Sequence, residues 1–340
     1  MPQLSYGDVK AAADRIAGRV RPVALAEADT GTGLWLALEL LQHTGSFKAR
    51  GAQNFLQAHR EAGTLPDTGV TIASGGNAGL ACAWAARQQG VRATVFVPTT
   101  APAVKVAKLR GYGAEVRQAG SEYAEALAAC EEFAATSGAL AAHAYDHPLI
   151  AAGAGTLLAE IHRQLPGLDT VVVAVGGGGL LAGVATAARH HGIRTVAVEP
   201  EHSRAFHAAV EAGHPVDVPV DSVAADALGA RRATPLALAA ARDGDVRSVL
   251  VPDAAIVRAR RGLWDDRRLA VEHAAATALA ALEAGAGEAA GEAAGEAAGE
   301  AAGEAAGEGY GYRPEPGERV CVVLCGANTD PTDLAAPAGR

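Results

Sequence analysis

Cysteine, aromatic side chains and runs of like charge are all scarce in this chain, and each scarcity removes a class of function. The four cysteines (Cys82, Cys130, Cys321 and Cys325) show no C-x-x-C spacing, which argues against a disulfide framework or a zinc site. No basic run of five or more residues occurs, so nothing points to a nucleic-acid surface. The short clusters Arg258-Ala259-Arg260-Arg261 and Arg267-Arg268 are interleaved with acids and read as solvated helix faces. No stretch of 18 apolar residues is free of charge and glycine-rich turns. No charged segment followed by a long apolar one opens the chain, so no signal peptide is expected and the default location is cytoplasmic. Aromatics make up 4% of the chain, and alanine and glycine dominate. Apolar content is nevertheless 49% over 340 residues, enough for a substantial core in two ordinary domains or one large α/β unit.

What is present is a rhythm. Short apolar runs read as strands at Leu34–Leu41, Val70–Ala73, Ala93–Val97, Glu115–Val116, Thr170–Val175, Thr195–Val198 and Val320–Leu324. Between them lie alanine-rich helical segments at Arg50–Ala62, Gly79–Gln89, Ala101–Leu109, Ser121–Ser137, Ala154–Gln164 and Leu180–His190. Strands and helices in alternation predict an α/β fold, with parallel sheet covered by helices on both faces. Residues 287–306 are five copies of Gly-Glu-Ala-Ala, and Glu288, Glu292, Glu296, Glu300, Glu304 and Glu308 fall at the same phase. As a helix this segment would stack repelling glutamates at i, i+4, with a glycine costing about 1 kcal/mol in every turn. It reads as a flexible low-complexity insertion over 287–309. Most of the net charge of −9 resides in it.

Four short motifs carry chemistry. Thr44-Gly45-Ser46-Phe47-Lys48-Ala49-Arg50-Gly51-Ala52 places one lysine at the edge of a core, beside an aromatic ring. Burial disfavours the charged amine, and a neutral lysine can form a Schiff base with a carbonyl cofactor. Ser74-Gly75-Gly76-Asn77-Ala78-Gly79 lies between a strand and a helix, where its side chains and backbone N–H groups suit a carboxylate and a phenolic oxygen; it also fits a plain capping turn. Gly176-Gly177-Gly178-Gly179 follows a strand and opens a helix, the arrangement of a phosphate cradle. The same loop fits G-x-G-x-x-A through Gly177, Gly179 and Ala182, with Glu199 ending the next strand, so a nicotinamide-dependent oxidoreductase is a rival on this loop alone. Cys325-Gly326-Ala327-Asn328 follows the final strand, with Cys321 and Cys325 expected on one side of it.

In this order and spacing the four motifs resemble the serine/threonine dehydratases, with the serine dehydratase branch nearest. The similarity spreads from about Val20 to Asn328, apart from the repeat. It includes the stretches 85–95, Asp146-His147-Pro148-Leu149-Ile150 and Ser222-Val223-Ala224 before Ala227-Leu228-Gly229. The resemblance implies a fold type II (tryptophan synthase β-like) architecture of two parallel or mostly parallel sheets flanked by helices. It divides the chain into a small domain, 42–147, inserted in a large cofactor-binding domain, 1–41 and 148–340. It implies pyridoxal 5'-phosphate as cofactor, a homodimer, and β-elimination of L-serine or L-threonine to a 2-oxo acid and ammonia. Lys48 would then carry the cofactor and act as the base at Cα. Phe47 would pack on the cofactor ring, Asn77 would meet its phenolic oxygen, Gly176, Gly177, Gly178 and Gly179 would hold its phosphate, and Cys325 would face its pyridine nitrogen. Ser74 and Asn77 would bind the substrate carboxylate.

The chain departs from the family pattern at three places. The related racemases have a serine two residues before the asparagine; here that position is Gly75, so a second acid/base is missing. The family's cation site maps onto Glu199 and Ser203, but its third position is Ala205, which has no side-chain oxygen. The family's E-P-x-G-A reads Glu272-His273-Ala274-Ala275-Ala276, which changes the pocket wall. No regulatory domain is expected after Asn328. Within the same fold the rivals are a β-replacement synthase and a racemase; a non-enzyme alternative is a cofactor-binding protein with a decayed pocket.

Overall fold

Small side chains decide how closely the helices of this protein approach. In the computed structural model, which describes residues 3–283 and 311–335, helices α6 (Pro148–Gln164) and α7 (Gly179–His191) cross in near backbone contact. A Cβ on Gly183 of α7 would come within 2.1 Å of the Ala151 carbonyl oxygen of α6, so only glycine fits there. Helix α2 (Lys48–Glu61) packs on α6 by the same means: a Cβ on Gly153 would meet the Arg50 carbonyl oxygen at 2.7 Å. The abundance of alanine and glycine is thus the packing rule of the helical layer.

Two sheets organise the rest. The first, in the order β1-β2-β10-β7-β8-β9, comprises Leu25–Glu27, Leu34–Ala37, Val320–Val323, Thr170–Ala174, Arg194–Pro200 and Val246–Val251. Its strands are parallel except for β1, which runs antiparallel to β2, so this sheet is mixed. The second, in the order β5-β4-β3-β6, is all parallel: Glu115–Gln118, Ala93–Val97, Val70–Ala73 and Leu140–Ala141. The central strands β3, β4, β7 and β10 are buried at every residue, as expected of parallel strands covered on both faces. In the small sheet Ile72, Val95 and Val97 pack with residues of α2 and α3 (Asn77–Gln88). Ala73 and Phe96 point the other way, onto α5 (Tyr123–Ser137).

Local signals set the helix starts. Ser5 and Asp8 form a reciprocal capping box on α1 (Tyr6–Ile16), and α6 opens with Pro148 in its first turn behind a His147 cap. The strand expected over 34–41 stops at Ala37, because Glu39–Leu41 and His43–Gly45 form two short 3-10 turns. Strand β10 ends at Val323, so Cys325 lies in the following loop and not on one face of the strand with Cys321. The Gly-Glu-Ala-Ala repeat lies outside the described residues. Among the described residues no helix is long and apolar enough to cross a membrane.

Candidate active site

The first and fourth motifs are stitched together by backbone. Ser46 forms an antiparallel bridge to Gly326, the Phe47 N–H donates to the Cys325 carbonyl at 3.0 Å, and the Ala327 N–H donates to the Gly45 carbonyl at 2.9 Å. Thr44 takes a left-handed conformation (φ 63°) to make this turn, an uncommon state for a β-branched residue. The turn delivers Lys48 to the first position of α2, with its ammonium 4.9 Å from the Phe47 ring centroid and donating to the Ala144 carbonyl at 2.9 Å. Burial pulls the Lys48 pKa down from 10.5 to about 8, against the opposing pull of Cys325 and Glu272. Cys325 is itself pushed up strongly, first by burial and then by the Glu272 charge, so it remains a neutral thiol.

Asn77 and Glu272 meet across 195 residues of sequence: the Asn77 amide Nδ2 donates to both carboxylate oxygens, at 2.9 and 3.0 Å. Asn328 Nδ2 donates to Asn77 Oδ1 at 2.7 Å and to the Thr44 carbonyl at 2.6 Å, closing a network over all but the glycine loop. The amide of Asn77 is thereby oriented at both ends. Burial raises the Glu272 pKa, and the hydrogen bond from Asn77 opposes that rise. A Cβ on Gly326 would lie 2.4 Å from Glu272 Oε1, so any side chain there would have to displace that carboxylate.

Gly176 to Gly179 run from β7 into α7, with Gly178 at φ +97°. Their N–H groups have no hydrogen-bond partner among the described residues, the condition of a cradle built for an anion. Tyr145 lies over this loop: a Cβ on Gly177 would fall 2.3 Å from its ring, and one on Gly179 would fall 2.8 Å from its carbonyl oxygen. The same ring centroid is 5.8 Å from the Lys48 ammonium, so lysine and cradle face each other across one residue. A cleft of about 480 Å³ is lined by Gly75, Gly76, Asn77, Glu272, Asn328 and, from the facing loop, Val223, Ala224, Asp226 and Ala227. Ser74 is one step off this lining, its Oγ accepting from the Gly76 N–H at 3.4 Å. A Cβ at Gly75 would meet nothing nearer than Val97 Cγ1 at 3.4 Å, so the missing serine hydroxyl is not imposed by crowding.

Glu199 and Ser203 have hydrogen-bond partners of their own, and Ser203 is tied to Leu228, which packs on Gly176. Glu199 is fully buried and accepts the N–H groups of Phe206 (2.8 Å) and His207 (2.7 Å) at the start of α8 (Ala205–Ala212). Burial raises its pKa to about 8 despite those bonds. Ser203 Oγ donates to the Leu228 carbonyl at 3.1 Å. Among the described residues no group of three or more His, Cys, Asp or Glu side chains is placed to hold a metal. Fully buried, Glu199 is also poorly placed to take a ribose hydroxyl pair, which weakens the nicotinamide rival.

The sequence did not mark Glu272, Asn328, Ala144 or Tyr145 as site residues. Glu272 and Asn328 stood inside recognised motifs but without a role, and Ala144 acts through its backbone, which leaves no trace in the sequence.

A family profile described as "pyridoxal-phosphate dependent enzyme" matches residues 19–296. The chain belongs to that family, among the serine/threonine dehydratases. It is 38% identical over 287 residues to the L-threonine ammonia-lyase of Geobacter sulfurreducens, covering 82% of this chain and 71% of that one. Among solved structures it is similar to the T.th. threonine deaminase (TM-score 0.78, 30% identity, covering 96% of this chain and 99% of that one). It is also similar to maize serine racemase (TM-score 0.81, 27% identity, covering 98% and 96%). This dehydratase-family chain has the fittings for pyridoxal phosphate: a lysine of lowered pKa, four unpartnered N–H groups for the phosphate, and a neutral thiol beside the lysine.

Proposed function

We propose that this protein is an ammonia-lyase that dehydrates and deaminates L-serine, L-threonine or both, releasing a 2-oxo acid and ammonia. The observation that carries the reading is a single base: Lys48 stands with its pKa lowered to about 8, and Gly75 leaves no acid/base at the position where the racemases have a serine. When bound, pyridoxal phosphate supplies the electron sink that acidifies the Cα proton. Lys48 anchors the cofactor and, once displaced, takes that proton as general base. Its pKa near the working pH suits both parts, because it can accept a proton and release it. Ser74 and Asn77 hold the substrate carboxylate, Asn77 through its backbone N–H, because Glu272 and Asn328 engage both ends of its side-chain amide. Cys325, neutral, cannot keep a ring nitrogen protonated as a carboxylate would. A cofactor held against this thiol would supply a weaker electron sink than one held against a carboxylate, which would suit loss of a β-hydroxyl over return of the proton. The Gly176–Gly179 N–H groups hold the phosphate, and Phe47 supports the ring.

Two comparisons support this reading, the ammonia-lyase and the threonine deaminase. Maize serine racemase shares the fold, but racemisation needs an acid/base on both faces of the cofactor. The reading includes the division into a small unit, 42–147, carrying the four-stranded sheet, and a large unit carrying the six-stranded one. It also includes a homodimer working in the cytoplasm, which light scattering and cell fractionation test. The functional test is spectroscopic and chemical. Purified protein reconstituted with pyridoxal phosphate should show a visible absorption band that Lys48→Ala lacks, and should release a 2-oxo acid from L-serine or L-threonine without an added nucleophile. A band with no 2-oxo acid, or product only when a nucleophile is supplied, would replace the lyase by another reaction of the fold. D-amino acid formation would favour racemisation.

A further inference from the structure

One imidazole shapes the segment that joins the lysine to the glycine loop. His143 Nδ1 accepts two backbone N–H groups, from Tyr145 at 3.2 Å and from Asp146 at 2.8 Å. The bonds wind 143–146 into a turn of the kind more often made by an Asn or Asp side chain accepting from the backbone just ahead of it. Both working ends of the site rest on this turn. The Ala144 carbonyl receives the Lys48 ammonium at 2.9 Å, and Tyr145 lies on Gly177 and Gly179. The His143 ring stands edge-on to the Tyr145 ring, with centroids 5.0 Å apart at 86°.

We propose that His143 is a positioning residue: its neutral imidazole holds the 143–146 strap against Lys48 and the glycine loop, and protonation at Nδ1 releases it. The proposal rests on the reading of Lys48 as the cofactor anchor. Its physical basis is the lone pair. A nitrogen that accepts two N–H groups must be unprotonated, and an imidazolium has no acceptor at all. His143 lies at the surface, where its ring exchanges protons with solvent. Its pKa is lowered chiefly by desolvation; Asp146 opposes this and Lys48 adds to it. The other groups around it are the Tyr145 phenol and His147, whose own pKa is lowered in part by His143. The folded state therefore favours the neutral ring. The contribution of the strap is fully present above the ordinary histidine pKa of about 6.5 and is lost as pH falls through the lower folded value. His147 uses its Nδ1 in the same way, on the Leu149 N–H at 3.1 Å, but that bond caps α6 and touches neither Lys48 nor the loop.

Two variants separate positioning from bulk. His143→Asn keeps an acceptor for the same N–H groups and cannot titrate, whereas His143→Leu removes the acceptor. In the full-length, cofactor-free chain, the acetic anhydride labelling rate of Lys48 is read by peptide mass spectrometry between about pH 5 and pH 8. At about pH 8 wild type and His143→Asn should label alike, with His143→Leu about tenfold faster; at about pH 5 wild type should exceed His143→Asn by a similar factor. On adding pyridoxal phosphate, the visible band should form more slowly in wild type at low pH and keep its rate in His143→Asn. Equal labelling of wild type and His143→Asn at about pH 5 overturns the proposal, as does a His143→Leu rate equal to wild type at about pH 8. If the labelling and the band behave as stated while no 2-oxo acid is released, the lyase reading fails and the positioning role stands.

Discussion

Replacing Lys48 by methionine should stabilise the cofactor-free protein at neutral pH and cease to do so in alkali. The folded state holds this amine at a pKa of about 8, against 10.5 for a free lysine, because burial disfavours the charge. A folded pKa below the unfolded one means that folding at neutral pH must bring a charge into a place that resists it. That cost is complete below the folded value and vanishes as pH rises through the unfolded one. It corresponds to about 3 kcal/mol at pH 7 and to under about 1 kcal/mol at pH 10. Methionine fills a similar volume without a charge, but it gives up the hydrogen bond to the Ala144 carbonyl, about 1 kcal/mol. The expected net effect is stabilisation by about 2 kcal/mol at pH 7, falling to about zero at pH 10. Urea unfolding of both proteins at several pH values measures it, with equal slopes confirming that the denatured states are comparable. A free-energy difference that does not change with pH would refute the burial argument, and so would a methionine variant less stable than wild type at pH 7. The gain would come at the expense of function, as is common where a site keeps a destabilised group for its chemistry.

Three further substitutions probe the surroundings. Gly177→Ala places a methyl group 2.3 Å from the Tyr145 ring, so pyridoxal phosphate should be retained at least about tenfold more weakly, in a spectrophotometric titration, while the urea midpoint moves little. Gly326→Ala drives a methyl group to within 2.4 Å of Glu272 Oε1, which should push the carboxylate off Asn77 and raise the KM for the amino acid; an unchanged KM would remove Glu272 from the substrate site. Arg50→Ala deletes a fully buried guanidinium held by Glu39 at 2.5 Å and Glu160 at 2.8 Å. Two carboxylates are left facing each other without a counter-charge, and the expected loss of about 3–5 kcal/mol is read from thermal or urea unfolding; a loss under about 1 kcal/mol would mean that water replaces the arginine.

The sequence by itself determined the βαβ rhythm and the central strands. Strands β3, β4, β7 and β10 are buried on both faces and therefore appear as unbroken apolar runs. It also singled out Lys48 and the glycine loop as candidates, since the first is marked by residues adjacent to it and the second needs only consecutive glycines between a strand and a helix. Other features escaped for physical reasons. Strands β1 and β9 lie at sheet edges and are only partly buried, so their apolar pattern is broken. Helix α11 (Asp253–Arg267) showed only its charged clusters, read as solvated, which hid the buried Ala255, Ile256, Ala259 and Leu263; Arg260 itself is buried and donates to the Val271 carbonyl. Helix α6 starts at Pro148, six residues before its apolar stripe becomes evident, because His147 and the proline cap it early.

Only the tertiary structure decided which groups surround the lysine. Asn77 finds Glu272 across 195 residues and Asn328 across 251, and Lys48 finds Ala144 across 96. Such pairs are made when the start of α3, the stretch around Glu272, the 143–146 segment and the loop after β10 are brought together, and no local pattern encodes them. The same assembly lowers the lysine pKa, because desolvation belongs to the packed site and not to the residue. A motif could name the lysine; the fold lowered its pKa.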